Sequence, residues 1–320
     1  MRFKHFVAAT ALATLAAVPA LAQTVSFGTT QTGGTNNNMS QALSKVVSGK
    51  HGLKMRIVPM TSLEGFGPVI DAGRMEIAFS AATDISWAYN GEVTFKNKAL
   101  KNLRMIAGLY KFPMALLVRK DSPIKKISDL KGKKVPTKFN KQFSAGRHIK
   151  AAFWSAGLTE ADFDGVPVPN VVRAAKDFAQ GKIVATWFKV GAGKVKEMAV
   201  RVGGIRYLPA ETSPEAIKRM RKYTPGATIQ IMQPNPAMPG IRGPTPVITE
   251  IYHLLGGKHV SDDVVAKILD TLYTEQKKLI AVMRLWKDYD PKKMWKEVAG
   301  VPDHPGAVKW YKSKGLKRVK

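Results

Sequence analysis

The chain has 320 residues, 51 Lys and Arg against 23 Asp and Glu, a formal charge of +28, and no cysteine. Without thiols there are no disulfides, no thiol catalysis and no cysteine-held metal, so the fold rests on its apolar core, which a chain of this length can supply. The positive field favours anions and anionic surfaces. No helix-turn-helix, zinc-finger or aromatic RNA-binding pattern accompanies it, and nucleic acid is not an expected partner.

The first 22 residues read as a cleavable export signal. Arg2 and Lys4 give a positive start, Phe6 to Ala17 is an apolar run, and Ala20-Leu21-Ala22 fits a small-residue cleavage site. A retained N-terminal anchor is the alternative. Export implies a periplasmic protein beginning near Gln23 and carrying +26, with enough chain for two domains.

The chain then alternates strands and helices. Residues 24–30 read as a strand and 36–48 as a helix with Met39, Leu43, Val46 and Val47 on one face. Residues 53–60 are a strand, 63–73 a short helix ending at Gly73, and 75–82 another strand. A helix over 83–91 is expected to take Thr83 or Asp84 as its N-cap. Residues 103–110 and 113–120 read as two strands. A second set follows: a helical turn and strand over 127–137, helices over 142–157 and 171–181, strands at 183–191 and 205–209, a helix at 213–223, and strands at 228–232 and 246–255. One long helix is expected over 261–286, with a packing stripe from Val265 to Trp286. The basic tail 309–320 reads as a solvated end. Such alternation predicts an α/β fold with a mostly parallel sheet.

Catalytic patterns are missing. No H-E-x-x-H, G-x-S-x-G or phosphate-loop motif occurs, and the histidines do not share helix faces. The acids do not pair at a spacing suited to acid–base work or to a calcium or magnesium cage. The expectation is a protein that is not an enzyme and carries no cofactor and no metal. What remains is a set of strand-to-helix turns: Thr32 to Thr35, Ser80 to Asp84, and Lys138 to Ala145. Turns of this kind present unpaired N–H groups and the positive end of a helix dipole. Two in one domain facing one in another would hold a small anion at the C-terminal ends of strands.

The segment "SFGTTQTGGTNNNMSQALSKVV" resembles the opening of TAXI-type solute receptors, which serve tripartite ATP-independent periplasmic (TRAP) transporters. "VIDAGRMEIAFSAATDISWAYNG", "LRMIAGLYKFPMALLVRKDSPIKKISDLKGKKV", "AKDFAQGKIVATWFKVGA" and "YTPGATIQIMQP" are similar to later blocks of that family, in the same order. The resemblance implies a type II periplasmic-binding-protein-like fold of two α/β lobes with a hinge and a ligand cleft. Lobe I would hold 23–112 plus 232–320, and lobe II 113–231. The function implied is an extracytoplasmic receptor that binds a small organic anion, a carboxylate or amino acid, and delivers it to the subunits of a TRAP-type membrane permease. A sensor presenting its solute to a membrane signalling protein is the alternative.

By the same resemblance Gly34, Thr35, Ser80 and Thr83 match cleft-lining positions, with Gly33 opening the loop to a ligand and Thr35 or Asn36 capping the helix. Asp84 is expected as a helix cap. Where the family has a small glycine- and serine-rich loop, this chain reads "KFNKQFSAG", which puts Asn140, Gln142 and Ser144 at the ligand. Lys189 stands where small residues are commoner, and suits an organic acid. Of nine basic residues over 125–150, most are expected on the solvated outside, with Lys138 and Lys141 at the cleft rim.

Overall fold

The computed structural model describes residues 24–319; the expected export signal over 1–22 lies outside the described residues. A first half is built from β1 (Thr24–Thr29), α1 (Thr35–His51), β2 (Lys54–Pro59), α2 (Leu63–Asp71), β3 (Ile77–Ala81) and α3 (Ala82–Asn90). The long strand β4 (Leu103–Arg119) leads into a second half of β5 (Lys134–Phe139), α4 (Phe143–Ser155), β6 (Asp164–Val168), α5 (Val171–Ala179), β7 (Ala185–Lys189), α6 (Gly193–Arg201), β8 (Ile205–Tyr207), α7 (Pro214–Arg221) and β9 (Thr228–Met232). The strand β10 (Thr245–Gly257) returns the chain to the first half, where α8 (Asp262–Thr274), α9 (Gln276–Val282) and α10 (Pro305–Ser313) complete it. No helix among the described residues is long and apolar enough to cross a membrane.

The main sheet runs β2-β1-β3-β10-β4-β7, with β8 also on β4 and β9 also on β10; β5 and β6 form a second, two-stranded sheet. β4 and β10 join the halves. The C-terminal part of β10 pairs with β3 and its N-terminal part with β9, while β4 pairs with β10 along its length before reaching β7 and β8. The expected sheet was mostly parallel. Parallel pairing holds for β1 with β2 and β3 and for β5 with β6, but every pair made by β4 or β10 is antiparallel, because these strands cross between halves in opposite directions. Residues 103–120, expected as two strands, form the single β4. Lys111 is exposed at its midpoint, and Pro113 accepts a hydrogen bond from Val190 through its carbonyl, so the proline does not break the ladder.

Several boundaries differ from expectation for identifiable reasons. Gly34 caps α1, and Ala81 caps α3. Thr35, Asn36, Thr83 and Asp84 are not caps: their side chains are buried, Thr83 donates to Glu250 and accepts from the Gly226 N–H of the second half, and Asp84 accepts from Arg147 of the second half. The helix expected over 261–286 breaks at Glu275 and again at Met283, whose backbone is extended. The break turns Trp286 into the core, where its ring lies 5.6 Å from Tyr110, 5.8 Å from Tyr289 and 6.2 Å from Phe79. A straight helix would carry Trp286 past this cluster. The C-terminal tail is not merely solvated: α10 buries Trp310 and Tyr311, and the Tyr311 hydroxyl donates to the Ile106 carbonyl at 2.7 Å.

Trp286 is therefore the anchor of this irregular segment. Trp286→Ala is expected to lower unfolding stability by ~3–5 kcal/mol, as large-to-small changes in a closed core do. Urea denaturation of the purified variant checks this; a loss under ~1 kcal/mol would show that the cluster tolerates the hole.

Candidate ligand-binding site

Helices α1, α4 and α5 bring their N-termini to one cavity of about 50 Å³ between the halves. That is several times the ~10–15 Å³ one water needs, and small for an organic ligand. From α1 come Gly34, Thr35 and Asn36; from α4 and its cap, Gln142, Ser144, Ala145 and His148; Val171 opens α5. The first turns of α1, α4 and α5 carry no acid, and neither α1 nor α4 has a side-chain cap. Their N–H dipoles therefore face the cavity without a compensating carboxylate. The Gln142 side-chain oxygen accepts from the Val171 N–H at 3.0 Å and from Gln31 Nε2 at 3.4 Å, which ties the opening loop to the second half.

The opposite wall is aromatic. Phe112 and Tyr252 lie with ring centroids 4.2 Å apart, and Trp187 and Phe188 follow on β7. Lys189 ends β7 in this wall and is 4 % exposed. Its ammonium lies 3.4 Å from the Val190 carbonyl and 5.5 Å from the Phe112 ring, and it forms no ion pair among the described residues. Burial pushes it down to about 8, with Asp288 pulling weakly the other way. Trp187 Nε1 and Gln31 Oε1 are buried polar atoms without a partner. One cation and three helix termini thus converge on an aromatic-walled space.

Of the residues expected at a ligand, the cavity brings together Gly34, Thr35, Asn36, Gln142, Ser144 and Lys189. Four lie elsewhere. Gly33 is exposed with a left-handed φ of 82°, and serves the turn. Ser80 is buried on β3 opposite His253. Thr83 spends its hydroxyl on Glu250 at 2.7 Å and lines a different cavity. Asn140 is exposed, with its N–H on the Val168 carbonyl. Lys138 and Lys141 are exposed and do not line the cavity.

Behind the cavity α4 is held to the first half by buried charge, which the sequence reading did not anticipate. Arg147, expected outside, donates to Glu64 at 2.9 Å and to Asp84, and its guanidinium lies 4.9 Å from the Trp87 ring. His148 Nε2 meets Glu250 at 2.6 Å. Burial would lower the pKa of His148, but the Glu250 carboxylate outweighs it and the ring is raised; burial would raise Glu250, but His148 and Thr83 hold it below its ordinary range. Full burial pushes the Asp84 carboxyl up against the pull of Arg147. No His, Asp or Glu cluster able to hold a metal exists among the described residues. The visible hint was Glu250 and His253 inside the otherwise apolar strand 246–255. The partner of Glu250, His148, is 102 residues away, and no local spacing reveals it.

Residues 27–315 match the NMT1-like family. The chain belongs to that family. The fold of this NMT1-like protein is that of periplasmic binding proteins. A structure described as a periplasmic transporter is 15% identical, with 91% of this chain and 92% of that chain covered and a TM-score of 0.56. PhnD1 from Prochlorococcus marinus, in complex with methylphosphonate, is 10% identical over 92% and 99% of the two chains, with a TM-score of 0.56. A TctC solute binding protein from Polaromonas is 16% identical over 83% and 90%, with a TM-score of 0.50.

The buried His148–Glu250 pair makes stability depend on pH in a defined window. The raised His148 contributes stability that is whole below 6.5 and is lost as pH rises through its folded-state pKa; the lowered Glu250 contributes stability present above 4.5 and lost as pH falls through its folded-state pKa. Glu250→Gln should therefore destabilise most between pH 4.5 and 6.5, and less as pH rises further. Urea midpoints of parent and variant across pH 4 to 9, read on a ~1 unit grid, check this; a constant difference would contradict the ion pair.

Proposed function

We propose that the protein is an extracytoplasmic solute receptor that binds a small organic anion at this cavity, which widens to admit it as the lobes part, and delivers it to a TRAP-type membrane permease. The observation that carries the reading is Lys189, a buried ammonium with no carboxylate partner, set in a cavity where three helix N-termini also offer positive potential. Burying an unpaired cation is costly, and an anion in the cavity removes that cost. The aromatic wall then suits the organic body of the ligand. The protein binds without doing chemistry: His148, the ring beside the cavity, is committed to Glu250.

Residues 23–112 plus 232–320 form lobe I and 113–231 lobe II, with β4 and β10 as the hinge strands, and the lobes close on the ligand. The chain acts in the periplasm after removal of residues 1–22. The methylphosphonate complex of PhnD1 supports a small anion as the class of solute, and the ordered sequence blocks that resemble TAXI receptors support a TRAP-type partner.

The test is a thermal-shift screen of small carboxylates, phosphonates and sulfonates, followed by calorimetry on the best binder. Lys189→Gln should weaken binding at least tenfold, about 1.4 kcal/mol. Because the free ammonium titrates at about 8, parent affinity should fall as pH rises past that value, while the variant stays flat. Equal affinity of the two proteins, or a parent affinity that does not change between pH 7 and 9, would reject Lys189 as the anion contact.

A further inference from the structure

A groove of about 490 Å³ is lined by the alternate residues of β4 to those at the first cavity. Side chains of a strand point to its two faces in turn: Phe112 and Met114 line the first cavity, and Lys111 and Pro113 line the groove. Lys189, at the end of β7, is the one residue common to both linings. The break after α9 shapes the groove. Met283 is extended there, and the 3-10 turn Arg284–Asp288 that follows buries Trp286 and leaves Arg284, Lys287 and Asp288 exposed.

Five cations line the groove, Lys111, Lys189, Lys196, Arg284 and Lys287, against one acid, Asp288. None of the six forms an ion pair among the described residues; the neighbouring acids Glu197 and Asp290 pair with Lys194 and Lys293 instead. Burial lowers the Lys189 ammonium, Asp288 draws it back up and Lys287 opposes that, so these three lie within reach of one another. Lys111 is shared with a smaller neighbouring cavity that also holds Asp290 and Lys293. Lys196, Arg284 and Lys287 remain as exposed cations of the rim, the first on α6 and the others after α9. The rest of the lining is largely apolar. Pro113, Val190 and Met232 are buried, and Met238, Met283 and Leu285 are half-buried. Methionine is unbranched and soft, and three of them make a wall that adapts to a flexible hydrocarbon. No aromatic ring lines the groove among the described residues, in contrast to the first cavity.

We propose that this groove is a second ligand site, and that it takes an anionic amphiphile of the fatty-acid type: an unbranched hydrocarbon chain lies along the methionines, and its carboxylate meets the rim cations Lys196, Arg284 and Lys287. The volume falls in the range of small-molecule sites. With one acid against five cations, the lining attracts an anionic head and repels a cationic one. Such a ligand is distinct from the solute of the first cavity, whose lining shares only Lys189.

Calorimetric titration of the purified chain with octanoate, acetate and octylammonium tests this. The parent should bind octanoate at least about tenfold more tightly than acetate, which has the head without the chain. It should not bind octylammonium, which has the chain with the opposite charge. The double variant Arg284→Gln/Lys287→Gln, at two exposed positions, should weaken octanoate at least about tenfold. Met238→Asp should do the same by setting a carboxylate against the chain. Octanoate seated in the first cavity instead would be indifferent to both changes. Absence of octanoate binding by the parent at millimolar concentration, acetate or octylammonium bound as tightly as octanoate, or octanoate binding undiminished in either variant would each overturn the proposal.

Discussion

One helix, α4, meets the first half through buried charge, and the geometry of the site depends on that contact. Arg147 bridges Glu64 and Asp84, His148 meets Glu250, and Trp87 lies under the guanidinium. Charges buried at this depth must be paired, because an isolated one costs several kcal/mol. The pairing therefore fixes where the second half sits against α2, α3 and β10. With α4 in that place its N-terminus faces the N-terminus of α1, and a cavity exists between them. Were α4 displaced, Asp84 and Glu250 would be left in an apolar setting without a counter-charge. The arrangement is thus all-or-none in character, which suits two halves that either meet fully or separate into water.

Lys189 is the complement of that network. The acids of the site region are neutralised from α4, whereas the cation of the cavity makes no ion pair among the described residues and feels only the Coulombic pull of Asp288. Positive potential from three helix termini adds to it rather than cancelling it. The net charge of +28 acts at longer range, drawing anions toward the surface, but salt screens it over ~8–10 Å. On the proposed function, capture and retention would rest on different groups: the exposed lysines would set the field, and one buried lysine with a few dipoles would form the seat.

Much of this was legible in the chain. The strand-to-helix turns at 32–35 and 138–145 are local features, written in glycines and small polar residues, and six of the ten residues expected at a ligand meet in one cavity. Features that depend on distant partners were not legible. Thr83 and Asp84 look like helix caps because the local sequence offers no other use for them; Glu250 and Arg147 supply that use from 167 and 63 residues away. The break in the helix over 261–286 was hidden for a related reason, since its stripe is regular and only the aromatic cluster around Tyr110 demands the turn. Asn140, two residues before the cavity-lining Gln142, is exposed, and Ser80, one residue from the end of β3, is buried opposite His253; neither lines the cavity, and local sequence does not tell which residues of such a turn do.

The central claim is that the halves close around a small anion, and spin-label distance measurement tests it most directly. The chain has no cysteine, so labels placed at the exposed Lys98→Cys in the first half and Lys141→Cys in the second report on nothing else. The account predicts two distance populations in the free protein, with the longer one removed by saturating amounts of an organic acid that calorimetry shows to bind. A single distance, unchanged between the free and the saturated protein, would contradict closure on the ligand.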